Sequence, residues 1–313
     1  MPGWKILITD GLDESGVQLL AQYAQVFDGQ GNSASELLDI IADYDAMIVR
    51  GQTQVTAELF SAARRLKVVG RAGVGVDNID LAAANQHHVT VVNSPLATTQ
   101  AVAEHVIALM LSLARSIPAA DTSLKSGLWH KKQFIGIEIN QKVLGVIGMG
   151  NIGSQVAKLA QALGMQVIGY DPLITESEIT LRGARAVNLP ELLSQSDFIT
   201  IHVPLGLETK SLINGESFGA MKRGTRLICT ARGGIIDETA LLSALESGQV
   251  AAAALDVFSK EPPGMSALVS HPRVIATPHI GAQTKEAQHR AAIEIAREVV
   301  AALNGEPLRW QIV

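Results

Sequence analysis

The sequence predicts an α/β protein of two parallel-sheet lobes, one inserted into the other. Three observations carry that prediction. Short apolar runs alternate with amphipathic stretches over residues 1–97. A second alternating series begins at Val143. A long amphipathic stretch, 284–305, is followed by a tail, EPLRWQIV, placed to pack back on the first lobe.

In the first series KILI (5–8), AMIVR (46–50), KVVG (67–70) and VTVVN (89–93) read as buried strands. DESGVQLLAQYA (13–24) and SASELLDIIADY (33–44) read as helices opening at Asp13 and Ser33, both good N-cap types. Strand–helix alternation argues for a parallel sheet with right-handed crossovers. TTQAVAEHVIALMLSLARSI (98–117) is apolar on almost every face, broken by Glu104, His105 and a few hydroxyls. Such a helix is expected to be buried all round, in a core or clamped between domains or subunits.

The second series gives strands at VLGVIG (143–148), QVIGYD (166–171), FITIHV (198–203), RLICTA (226–231) and AAALDVF (252–258), with VIATP (274–278) a candidate sixth. SQVAKLAQALG (154–164) and DETALLSALESG (237–248) read as helices between them, and TKEAQHRAAIEIAREVVAALNG (284–305) as a long helix closed by Gly305. Residues 1–97 with 288–313 are expected to form a substrate-binding lobe, and 98–287 an inserted nucleotide-binding lobe. Two chain crossings would then join them, with a cleft between.

Composition narrows the function. The 313 residues are 47% hydrophobic and 18% charged, which suits a folded soluble chain. A net charge of −5 without a dominant basic patch argues against nucleic acid and anionic membranes as partners. MPGWKILITD lacks the features of a signal peptide. HVIALMLSLA, the most apolar run, falls short of the ~20 residues a membrane span needs. The one cysteine, Cys229, permits no intrachain disulfide and fits a cytoplasmic location. No histidine spacing suggests a metal site, and adjacent His87 and His88 are poorly placed to share an ion, so no metal is expected.

GMGNIG (148–153) follows an apolar strand and opens a helix. That context reads as a dinucleotide loop: Gly148 for the tight turn, Gly150 for close approach of backbone to phosphate, Gly153 for helix–strand packing, with Asn151 and Ile152 between them. Asp171 ends the next strand, where an acid binds the ribose hydroxyls and disfavours a 2′-phosphate. The expected cofactor is NAD rather than NADP. A second set of groups sits after later strands: Arg232 in CTARGGIID, Asp256 in ALDVFSKEPP, Glu261 before a proline pair, and His279 in TPHIGAQT. Alone, Arg232 reads as a surface ion-pair partner and His279 as a loop histidine. Together they fall on the carboxyl edge, where open α/β sheets bind ligands.

These motifs, with VVGRAGVGVDNID (68–80), YDP, ARGGIIDE (231–238), AALDVFSKEPP and PHIGAQTKEAQ (278–288), resemble the D-isomer-specific 2-hydroxyacid dehydrogenases through nearly the whole chain. Within that family they are most similar to the phosphoglycerate dehydrogenases. The resemblance implies that His279 exchanges a proton with the substrate's 2-oxygen and that Glu261 fixes its tautomer. It implies that Arg232 binds the substrate carboxylate and polarises the carbonyl, and that Asp256 orients the nicotinamide carboxamide. His202, Val203, Pro204, Thr209, Thr230, Ala231, Gly281 and Ala282 would line the cofactor groove. Backbone near Val74 and Gly75 would cradle the carboxylate, and Arg50, Arg71 and Lys131 would meet a substrate phosphate.

Two departures stand out. Cys229 occupies a place where the family often has Asn, and reads as a small buried residue. Ala97 and Thr98 replace a Gly-Asn pair common in the phosphoglycerate enzymes. The implied reaction is NAD-dependent oxidation of D-3-phosphoglycerate. The alternatives are a glyoxylate or hydroxypyruvate reductase on the same scaffold and, more remotely, an NAD(H)-responsive corepressor-like scaffold. The apolar residues of 98–117 predict a homodimer joined through that helix and its surroundings, and the resemblance points the same way. The chain stops at Val313, so a short form without a C-terminal regulatory domain is expected.

Overall fold

Strand residues buried on both faces explain why the sequence runs are continuously apolar rather than alternating. In the computed structural model, which describes residues 3–313, the chain first forms β1 (Trp4–Ile8), α1 (Glu14–Ala21), β2 (Ala24–Asp28), α2 (Ala34–Ile40), β3 (Ala46–Val49), α3 (Ala57–Ala62), β4 (Val68–Arg71), α4 (Leu81–Gln86) and β5 (Thr90–Asn93). The strands are all parallel in the order β2-β1-β3-β4-β5, the flavodoxin-like order. Leu7, Met47, Val69 and Val91 face one core, with Leu37, Ile41 and Phe60. Ile6, Ile48, Val68 and Val92 face the other. Each such side chain contributes about 1.5–3 kcal/mol on burial, so both layers of helices are held by the same five strands.

The chain continues through α5 (Thr99–Arg115), α6 (Ile117–Lys125), β6 (Val143–Ile147), α7 (Asn151–Ala162), β7 (Gln166–Tyr170), α8 (Glu176–Leu181), β8 (Arg185–Ala186), α9 (Leu189–Gln195), β9 (Phe198–Ile201), α10 (Gly215–Ala220), β10 (Thr225–Cys229), α11 (Glu238–Glu246), β11 (Val250–Leu255) and β12 (Val274–Ala276). This sheet too is all parallel, in the order β12-β11-β10-β9-β6-β7-β8. Six of its strands repeat the Rossmann order, and the direction of winding reverses between β6 and β9. The carboxyl ends at that reversal are where such sheets take their ligands.

The final helix, α12 (Lys285–Asn304), is capped by Thr284 and closed by Gly305 at φ 70°. It packs Ile295, Ala296 and Val299 against the first sheet. Residues 3–98 and 283–313 form one compact unit, and 99–282 the other. The return crossing thus lies before α12. Sequence reading had placed it at 287/288, which would cut a continuous helix in its first turn. The tail is tied to the first sheet by Ile312 N–H donating to Val91 O at 2.8 Å and Val91 N–H to Val313 O at 3.2 Å. Glu298, 7% exposed, accepts the backbone N–H groups of Arg309 and Trp310 at 3.0 and 3.2 Å and turns the tail back.

One helix differs from expectation. α5 is not buried all round: Val102, Val106, Leu109 and Leu113 are buried, while Glu104, Ala108, Leu111 and Arg115 form an exposed line. Of these, Val106, Leu109 and Leu113 join the core of the second unit beneath α7. Among the described residues no single helix is long and apolar enough to cross a membrane. α5 and α6 reach that length only as a pair bent by 63°.

Candidate active site

The turn after β6 holds the glycine loop. Gly148 has φ +90°, and a β-carbon there would lie 2.7 Å from the carbonyl oxygen of His202. A β-carbon on Gly153 would collide with the carbonyl of Gly148, so the helix can start this close to the strand only with glycine. Gly150 has open space where its β-carbon would be. It is the N-cap of α7 and offers no side chain to the first-turn amides of Asn151, Ile152 and Gly153. An uncapped helix N-terminus beside open backbone suits a pyrophosphate. Asp171 accepts Met149 N–H at 2.9 Å and Leu173 N–H at 3.0 Å, one on each carboxylate oxygen. It ties the loop to the end of β7 and keeps acceptor capacity for ribose hydroxyls. Thr230 Oγ1 is buried and has no hydrogen-bond partner among the described residues, an orphan that a bound dinucleotide would satisfy. These features fit the expected cofactor.

The rest of the groove is built by short-range bonds. His202 N–H donates to Ile147 O at 2.7 Å, extending the ladder at the reversal point. Its Nε2 lies 2.9 Å from Thr200 Oγ1, and burial pushes the imidazole down to about 3, so the ring is neutral. Thr209 Oγ1 donates to Pro204 O at 2.6 Å and accepts Gly206 N–H at 2.8 Å, which folds the loop after Val203. Arg182, which sequence reading missed, donates from Nη1 to Met149 O at 2.7 Å and braces the glycine turn.

Arg232 follows β10, and its Nη1 donates to Ala231 O at 2.7 Å. His279 Nδ1 lies 2.8 Å from Glu261 Oε2. Glu261 Oε1 accepts Phe258 N–H at 3.1 Å, so the loop that carries the acid is closed onto the end of β11. Both side chains are partly open to solvent. With Nδ1 held, Nε2 of His279 is the ring atom available to take or give a proton. The last residue of β10, Cys229, is buried, and burial pushes its thiol up to about 11, which makes it unreactive packing at neutral pH.

Asp256 follows β11 and is enclosed by the segment that carries His279. It is 1% exposed. Oδ1 accepts Thr277 Oγ1 at 2.6 Å and Ile280 N–H at 2.9 Å, and Oδ2 accepts Gly281 N–H at 2.8 Å. A carboxylate enclosed in this way is bonded to the loop that follows β12. The strand-end position was legible in the sequence. The capture of the carboxylate by the 277–281 segment was not, because it depends on the turn that follows β12. Ala282 closes that segment and is half-buried.

In the first unit the turn after β4 carries Val74 and Gly75. Asn93 Nδ2 donates to Val74 O at 2.7 Å, and Ser94 N–H to Gly73 O at 3.0 Å, so the end of β5 holds the turn. Arg71 folds over the same turn: its Nη1 occupies the space a β-carbon on Gly73 would fill, and its Nε is buried. This geometry makes it a brace of the turn rather than a free phosphate ligand. Arg50 follows β3 and its guanidinium has no hydrogen bond or ion pair with the described residues. Its loop is ordered by Asp10, which accepts the backbone N–H groups of Arg50 (2.8 Å), Gln52 (3.0 Å) and Thr53 (3.1 Å). Sequence reading missed Asp10, although it too is an acid just past a strand, two residues after the end of β1. Lys131 lies in an exposed turn, Lys131–Gln133, of the other unit, and its amine bonds to none of the described residues. Among the described residues no three His, Cys, Asp or Glu side chains are grouped to hold a metal ion.

Residues 107–281, more than half of the chain, match the family model described as D-isomer specific 2-hydroxyacid dehydrogenase, NAD binding domain. The chain belongs to the D-isomer specific 2-hydroxyacid dehydrogenase family. Its second unit carries that family's NAD-binding domain. The chain is 48% identical over 305 residues to a D-3-phosphoglycerate dehydrogenase of Synechocystis sp., covering 97% of this chain and 55% of that protein. It is 46% identical to a D-3-phosphoglycerate dehydrogenase of Bacillus subtilis, with 97% and 58% covered. The chain thus spans a little over half the length of these curated relatives. Among solved structures of the family, a glyoxylate reductase from Paecilomyes thermophila superposes with a TM-score of 0.90 at 31% identity, covering 100% of this chain and 99% of that one.

Proposed function

We propose that the chain oxidises D-3-phosphoglycerate with NAD. The observation that carries this is the His279–Glu261 contact at 2.8 Å, on the same sheet edge as the uncapped glycine loop. NAD, when bound, supplies the hydride acceptor. His279 takes the proton of the substrate's 2-hydroxyl at Nε2, while Glu261 holds Nδ1 and the tautomer. Arg232 binds the substrate carboxylate and steadies the developing carbonyl oxygen. Asp171 receives the ribose hydroxyls, and its charge excludes a 2′-phosphate. The groove is completed by His202, Val203, Pro204, Thr209, Thr230 and Ala231. In the first unit Arg50 binds the substrate phosphate, and the backbone of Val74 and Gly75 binds the carboxylate. The similarity to two D-3-phosphoglycerate dehydrogenases supports the substrate.

A second reading is reduction of glyoxylate or hydroxypyruvate, favoured by the full-length likeness to a glyoxylate reductase. Initial rates with NAD or NADH and a panel of 2-hydroxy and 2-keto acids, with and without a terminal phosphate, decide between them. A higher kcat/KM for 3-phosphoglycerate than for glycerate supports the proposal. Preference for glyoxylate or hydroxypyruvate transfers it to the second reading. The proposal extends to a cytoplasmic location and to a homodimer, the latter supported by the exposed apolar side chains that follow α5.

A further inference from the structure

His279 has a backbone conformation that side chains seldom adopt: φ is 54°. A non-glycine residue there needs its surroundings to hold it. The holding group is Asp256. Its carboxylate takes Thr277 Oγ1 on one side of His279, and the N–H groups of Ile280 and Gly281 on the other. Within this bracket His279 N–H turns back to Thr277 O at 3.0 Å. A carboxylate that is 1% exposed is costly unless every acceptor site is matched and its charge is answered.

A basic nitrogen reaches it from a different element. His105, on α5, places Nε2 3.4 Å from Asp256 Oδ1 and 3.3 Å from Thr277 Oγ1. Its side chain is 17% exposed. Its ring also backs the segment: a β-carbon on Gly281 would lie 3.7 Å from His105 Cδ2, 3.6 Å from Val102 Cγ2 and 3.1 Å from Asp256 Oδ2. Glycine lets the chain pass this close to α5. The bracket is therefore built from three places in the sequence: the middle of α5, the end of β11 and the turn after β12.

We infer that His105 is a positioning residue for His279, acting through Asp256 and Thr277. Its Nε2–H holds the Asp256 carboxylate and the Thr277 hydroxyl in the arrangement that leaves both Asp256 oxygens aimed at the 277–281 backbone. His279 is thereby kept at positive φ with Nδ1 turned to Glu261. This inference rests on the proposed role of His279 as the proton carrier.

The test pairs two substitutions. His105→Leu fills the space without a donor, and His105→Gln keeps an N–H donor of similar reach. In His105→Leu, kcat is expected to fall at least tenfold while KM for NAD stays within about twofold. Amide hydrogen exchange in the peptide containing Ile280 and Gly281 is expected to speed up at least tenfold, with no general rise elsewhere in the second unit. His105→Gln is expected to recover most of both. Unchanged kcat and exchange in His105→Leu overturn the inference. So does equal damage in both variants with faster exchange throughout the unit, which marks a packing role. If the unaltered protein turns over no 2-hydroxy acid, the proposed function fails. The exchange measurement then still decides whether His105 holds the segment.

Discussion

His279 Nδ1 and Glu261 Oε2 are 2.8 Å apart, and the other oxygen of the same carboxylate accepts the backbone N–H of Phe258. Glu261 therefore links the histidine to the end of β11 as well as orienting its ring. Removing the ring should abolish proton transfer and leave the glycine loop untouched. His279→Ala is expected to lower kcat by about 10²–10⁴, the usual worth of a general acid–base group, with NAD affinity unchanged by titration calorimetry. Glu261→Gln keeps one acceptor and should be milder than Glu261→Ala, which loses both bonds. Near-normal turnover in His279→Ala would sink the assignment.

Much of this was legible in the sequence because buried parallel strands advertise themselves. KILI, AMIV and FITI are apolar on both faces, and the residues that follow such runs fall at the carboxyl edge of the sheet. Asp171, Arg232 and Asp256 were located by that rule. What the rule could not supply was direction. Which groups a strand-end acid bonds depends on turns with no periodicity, and the bonds from Thr277, Ile280 and Gly281 to Asp256 were not legible. Edge and short elements were also missed. β2, with half-exposed AQVFD, lacks a buried run, and α3 and α4 have six residues each, too few to show a helical period. His105 read as an interruption of an apolar helix, because its partners, Asp256 and Thr277, are far from it in the chain, the second 172 residues on.

The neutral His202 gives a pH dependence with a definite sign. Its folded-state value, about 3, lies below the ordinary histidine value of 6.5, so the unfolded chain binds the extra proton first. Its contribution is complete above about pH 6.5 and is lost as pH falls toward 3, at no more than about 1.4 kcal/mol per pH unit. His202→Asn should therefore flatten the fall in urea midpoint between pH 6.5 and 4. An identical slope in variant and parent would place the acid sensitivity elsewhere.

The stretch after α5 carries an unusual load of exposed apolar side chains. Ile117, Leu124, Leu128, Trp129 and Ile135 are between 47% and 86% exposed. Such side chains on one short segment suit the contact of the proposed homodimer. Sedimentation at micromolar concentration is expected to give a species of twice 33.1 kDa, and Leu124→Glu with Trp129→Glu to give the single chain. A single chain already in the unaltered protein would refute the dimer.

Substrate choice is expected to rest on Arg50. Its loop wraps the Asp10 carboxylate, which takes the backbone N–H groups of residues 50, 52 and 53 and leaves the guanidinium outside that network. Asn78 Nδ2 donates to Thr53 O at 2.7 Å and anchors the far end of the loop. The arginine is thus mounted on ordered backbone at the end of β3, on the same edge as the Val74–Gly75 turn. A phosphate dianion gains from a forked guanidinium two charge-assisted hydrogen bonds that an uncharged terminus cannot make. Arg50→Ala should raise KM for 3-phosphoglycerate at least tenfold, about 1.4 kcal/mol, and barely change KM for glycerate. Asp10→Ala frees the loop while keeping the charge, so it should act in the same direction with a smaller effect. Equal loss of both substrates in Arg50→Ala would reassign the residue to the shared carboxylate or to the fold. An unaltered KM for 3-phosphoglycerate would remove Arg50 from the site.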